Sequence, residues 1–182
     1  MTTRRKVALG APLALFGVSG AAYATTYFTA DGVKRALFPS ADRFVDATVT
    51  LTPTQMRTIA QRTRTRVRRN TLPMWWAYQR QTLLGAVIID EVVGKHEFIT
   101  YGVALDPTDG VRQIEIMDFR ESYGDEVRNA RWRAQFTGRH AGDTLRVGGD
   151  IQNISGATLS CVHITDGVRR VLGTVAHAVR GQ

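Results

Sequence analysis

The chain has 182 residues, with 24 Lys and Arg against 16 Asp and Glu, a formal charge of +8 and a single cysteine, Cys161. That length suits one domain able to bury its own core, and one cysteine excludes an internal disulfide and every Cys-rich metal spacing. Setting aside Arg4, Arg5 and Lys6 leaves 21 of the 24 basic residues against 16 acidic ones, a net +5, a modest excess that suits an acidic partner or an anionic lipid surface.

Those three cations open residues 1–24, which read as an export signal: a positive head, an almost wholly apolar run from Val7 to Val18, and a small-x-small cleavage pattern at Ala22-Tyr23-Ala24. An uncleaved anchor is the alternative, and both place the rest of the chain in the periplasm or another extracytoplasmic space. Residues 25–50 read as a connecting segment in which "DGVKRALFP" forms a short helix ending before Pro39. The domain proper then spans 51–182. Thr52-Pro53 is a capping residue followed by a first-turn proline, and Met56, Ile59, Ala60 and Thr63 continue at helical spacing. Next come Arg62, Arg64, Arg66, Arg68 and Arg69, four of them alternating with Thr63, Thr65 and Val67 as on one face of a strand. No aromatic residue interleaves with these charges, so the pattern is that of a solvated face, and no nucleic-acid partner is expected.

From residue 70 the pattern is that of strands. "MWWAYQ" and "TLLGAVIIDEVV", separated by Arg80-Gln81, read as a hairpin. "EFITYGVALD" and "VRQIEIMDF" flank Pro107-Thr108-Asp109-Gly110, a tight turn with Gly110 in the left-handed position, so the two strands pair antiparallel. Asp125 to Phe136 returns to helical spacing with Val127, Ala130, Ala134 and Phe136 on one side. "TGRHAGDTLRVGGD" reads as surface loop. After Thr158, the positions Ile164, Val168, Val171, Leu172, Val175 and Val179 form a helical stripe, which Gly167 weakens by about 1 kcal/mol. The expected fold class is α+β: an antiparallel sheet with packed helices, as a single domain.

Between the loop and the last helix stands "SGATLSC", residues 155–161. A helix start presents N–H groups without internal partners at the positive end of the helix dipole, and a preceding glycine lets an anion approach the backbone. Taken on the residues alone, the stretch suits either a phosphate or a plain capped helix start. The string as a whole resembles the flavinylation motif of the FMN-binding domain family, which includes subunits of sodium-pumping NADH:quinone oxidoreductase and of related electron-transport complexes. The resemblance covers roughly residues 84–175. It implies FMN as cofactor, joined through its phosphate to the hydroxyl of Thr158, with Ser155, Gly156 and Ala157 as the recognition run and Leu159 and Ser160 completing it. Gln152 stands where the family motif usually has an aspartate. "RESYGDEV" matches a second family element, implying ring-side roles for Glu121, Ser122 and Tyr123, with Gly124 beside them.

The implied function is an exported electron-transfer flavoprotein relaying electrons in a membrane-associated redox chain. Its partners would be a flavin transferase for attachment and redox proteins at the membrane. Neither a catalytic acid or base nor a metal is required; His140, His163 and His177 show no ligand spacing. Alternatives are a flavin-dependent reductase of a small acceptor such as a quinone or ferric chelate, and a cofactor-free periplasmic interaction module. His96, after Lys95 at a strand entrance, either hydrogen-bonds a flavin or satisfies local backbone groups. Trp75, Trp76, Tyr101, Phe119 and Tyr123 are candidates to pack a flavin ring, although strand aromatics usually belong to the core.

Overall fold

The computed structural model describes residues 25–121 and 123–181; residues 1–24, where the sequence predicts an export signal, and Ser122 lie outside the described residues. Strand β1 (Thr25–Thr26) leads through a Thr29-capped helix α1 (Ala30–Leu37) to β2 (Arg43–Asp46) and β3 (Val49–Thr50). Helix α2 (Pro53–Thr63) follows, with a capping box in which Thr52 and Gln55 satisfy each other's backbone N–H. The strands β4 (Thr71–Leu72), β5 (Met74–Gln79), β6 (Thr82–Val93), β7 (Phe98–Leu105) and β8 (Val111–Phe119) come next. Short helical turns, including α3 (Ala130–Arg133), and the long helix α4 (Thr158–Thr174) complete the chain, with a π-turn over Val175–Val179.

Six strands form one sheet in the order β1-β8-β7-β6-β5-β2, and every pairing is antiparallel. Both faces are covered. Val33, Leu37 and Phe38, from α1 and its end, pack with Ala77, Val87, Ala104 and Met117 on one side. Helix α4 buries Ile164, Val168, Val171 and Leu172 against Ile88, Val92, Tyr101 and Val103 on the other. This two-sided burial explains why β6 reads as a nearly continuous apolar run instead of a clean alternation. The fold is α+β.

Several local expectations need correction. Residues 25–50 do more than connect: β1 and β2 supply the two edge strands of the sheet. The arginine stretch is not a strand. Helix α2 ends at Arg64 with φ 53°, and the ribbon that follows pairs with no strand among the described residues. It is held by side chains instead: Thr63 and Thr65 are buried with their hydroxyls 2.7 Å apart, and Arg169 donates to the Thr63 carbonyl at 2.7 Å. The alternation correctly separated outward arginines from inward threonines, because a pinned extended ribbon shares the period of a strand.

In the turn after β7 the left-handed residue is Asp109 (φ 66°), not Gly110. Asp106 accepts from Thr108 N and Gly110 N at 2.8 and 3.1 Å, and this closed carboxylate turn tolerates aspartate in that conformation. Residues 125–136 form broken turns whose buried side chains are Val127, Trp132 and Phe136; Ala130 and Ala134 are exposed. A 3₁₀ turn has three residues per turn, so the 3.6 spacing cannot survive across it.

Candidate functional site

Helix α4 begins beside a hairpin end. Its cap position is Ala157 (φ −112°), and Thr158 is the first helical residue, so Thr158 is not the capping side chain. No side-chain cap is present. The first helical hydrogen bond runs from Cys161 N to the Ala157 carbonyl at 2.9 Å, which leaves the N–H groups of residues 158–160 without an intrahelical acceptor. Gly156 precedes them with φ 89° and open space where a side chain would be, a conformation glycine adopts freely. Asn153 donates to Thr158 Oγ1 at 2.9 Å and fixes the direction of that exposed hydroxyl.

A cavity of about 470 Å³ opens at this helix start, lined by Gly156–Ser160 and by Lys95, His96, Glu121 and Tyr123. Its size falls within the roughly 300–1,000 Å³ of small-molecule sites. Of the residues singled out in the sequence, Glu121, Tyr123, Gly156, Ala157, Thr158, Leu159 and Ser160 share this cavity, and His96 joins them. Ser155 lies one residue outside its lining, exposed in the turn before the helix. Gly124 is buried against Ser160. Leu159 and Tyr123 leave 46% and 85% of their surface in water, so the mouth has an apolar rim.

Glu121 has a role that its sequence position did not reveal. Its Oε1 accepts from the backbone N–H of His96 and, at 2.9 Å, from that of Glu97, tying β8's end to the turn between β6 and β7. Burial would raise this carboxyl, but the N–H groups of Glu97, His96 and Lys95 outweigh it and hold the pKa below its ordinary value. Gly94 makes room for the clamp: a Cβ there would stand 2.6 Å from Glu121 Oε1. Lys95, named in the sequence only as the neighbour of His96, is carried by this turn; the glycine before it and the acid 26 positions later were the only signals. Of the five aromatic candidates, only Tyr123 reaches the cavity. Tyr101 and Phe119 are core, while Trp75 stacks on Lys34 and Trp76 on Arg180. Cys161 is buried, and burial pushes its thiol above the ordinary value.

The arrangement can hold a phosphate monoester at the helix start and a planar group across the cavity. Residues 94–173 match the model of the FMN-binding domain family. This stretch resembles FMN-binding domains. Its donor set fits the cofactor: helix-start N–H groups without an intrahelical acceptor, an unhindered glycine, and a cavity of about 470 Å³ shared with Lys95 and His96. The crystal structure of Shewanella oneidensis NqrC is similar at 16% identity, covering 81% of this chain and 71% of that one with a TM-score of 0.43. No curated protein matches the chain. Among the described residues, no three or more His, Cys, Asp or Glu side chains gather to hold a metal ion, and no helix is long and apolar enough to cross a membrane.

Proposed function

We propose that this FMN-binding domain belongs to an exported electron-transfer flavoprotein whose FMN is joined through its phosphate to Thr158. The observation that carries the reading is the exposed Thr158 hydroxyl at an uncapped helix start, on the edge of the one cavity that the motif residues share. Thr158 Oγ1 would attack the FMN-side phosphorus of a flavin dinucleotide held by a transferase. The new O–P bond replaces the pyrophosphate P–O bond, a nucleoside monophosphate leaves, and the hydroxyl proton passes to a base on the transferase. Bound FMN supplies reversible electron storage. The chain's own residues do the rest: the helix N–H groups neutralise phosphate charge, Gly156 admits it to the backbone, and Asn153 orients the hydroxyl.

The exposed Tyr123 and Leu159 at the rim suit contact with a redox protein at the membrane more than enclosure of a small acceptor. The apolar segment 7–18 supports an encounter outside the cytoplasm. Gln152, exposed while Trp132 Nε1 and Gln135 Oε1 pin its backbone at 2.8 Å each, lies where a transferase would read the motif.

Co-production with a flavin transferase, followed by denaturation and peptide mass mapping, tests the reading. The peptide containing Ser155 to Cys161 should carry FMN in the wild type and lose it in Thr158→Ala, and Gln152→Asp should raise the attached fraction. An unmodified peptide from a protein that still binds flavin would reject covalent attachment. Colourless protein under every condition would reject the whole reading.

A further inference from the structure

Of the side chains lining the cavity, Lys95 alone carries a full positive charge and Glu121 alone a carboxylate. They are not equivalent partners. The carboxylate accepts, through its Oε1, from backbone N–H groups of the turn that carries Lys95. Lys95 and His96 are both exposed and line the same cavity as Gly156–Ser160. With the phosphate at the helix start, the remainder of the cofactor would share the cavity with Lys95 and His96.

We propose that the Lys95–His96 turn is the redox-tuning wall of this site, with Lys95 the positioning residue whose charge stabilises the reduced flavin ring. This inference rests on the reading of the cavity as an FMN site. A flavin ring gains negative charge on reduction, and a fixed cation beside it favours the reduced form. Glu121 serves this arrangement indirectly: its Oε1 holds the turn that carries Lys95 in place. Gly94 is part of the same device, because a side chain there meets Glu121 Oε1. The Lys95 charge stands in solvent, so its effect falls with ionic strength.

The test is a redox titration of flavin-loaded full-length protein, with bound flavin quantified separately. Lys95→Met should change the reduced-to-oxidised ratio at fixed potential by tenfold or more against reduction, about 30 mV for a two-electron couple. Lys95→Arg should restore it, and 0.5 M salt, at which the Debye length falls below about 5 Å, should narrow the difference between wild type and Lys95→Met. His96→Gln should shift the ratio in the same direction by less, and Gly94→Ala should mimic Lys95→Met by displacing the clamp. Unchanged potential in Lys95→Met with flavin fully bound overturns the inference and leaves the FMN site standing. Wild-type protein that retains no flavin overturns both. A Lys95→Met variant that loses flavin while Lys95→Arg keeps both flavin and potential supports the wall as a contact surface; loss in both variants overturns the charge argument.

Discussion

Helix α4 is treated in opposite ways at its middle and at its start. At the middle, the sheet closes onto it. The buried Tyr101 hydroxyl donates to Asp90 at 2.7 Å, Arg170 meets the same carboxylate at 2.6 Å, and Gly167 faces the Tyr101 hydroxyl with no room for a methyl group. Burial, followed by the Asp90 charge, pushes the Tyr101 phenol well above its ordinary value, so it stays a neutral donor. At the start, the helix N–H groups are uncapped, Gly156 has open space beside it, and Thr158 is exposed. A stable core satisfies its polar groups internally. A binding site leaves some of them for a ligand.

The contrast can be broken most severely at the middle. Arg170→Met leaves Asp90 charged and only 13% exposed, with the Tyr101 hydroxyl as its remaining partner. Removing one member of a buried pair costs about 3–5 kcal/mol, which urea unfolding should record as a large fall in midpoint. Gly167→Ala should cost about 1–3 kcal/mol by overpacking, because the methyl overlaps Tyr101 Oη and lies 2.8 Å from Val92 Cγ1.

The same substitution at the start sharpens the comparison. Gly156→Ala meets nothing within 4 Å, and only its φ of 89° opposes the change, at about 1 kcal/mol. Its larger effect should fall on phosphate approach, read as weaker FMN retention at nearly unchanged unfolding midpoint. Equal destabilisation at positions 156 and 167 would contradict the distinction between an open and a closed end.

The smallest effect is a pH response of the clamp. Because the folded-state pKa of Glu121 lies below its ordinary 4.5, its contribution is fully present above that value and is lost as pH falls through the folded pKa. Hydrogen exchange at the His96 and Glu97 amides should therefore lose protection in acid below about pH 4.5, relative to the intrinsic rate. In Glu121→Gln that transition should disappear.

How far the sequence carried is visible in single residues. Thr52-Pro53 with Gln55 marks a helix start that the fold keeps, since capping is a local matter of adjacent donors and acceptors. The stripe from Ile164 to Val175 marks the buried face of α4 because burial follows helical period. Gly167 read only as a weak point in that helix, whereas its absent side chain is what lets Tyr101, 66 positions earlier, reach Asp90. Glu121 read as a ring-side residue, whereas its partners are backbone groups of a turn 24 and 25 positions away. Neither contact has any local signature.

Local chemistry, by itself, determined the caps, the hairpins, the apolar face of the last helix and the phosphate-ready run from Ser155 to Ser160, because each depends on residues within a turn or two of one another. Only the tertiary structure decided that β1 and β2 would edge the sheet, that the arginine ribbon would be pinned by α4, and that Lys95 and His96 would face the start of that helix. Those outcomes depend on which distant surfaces come to bury one another, and no spacing along the chain encodes that distance.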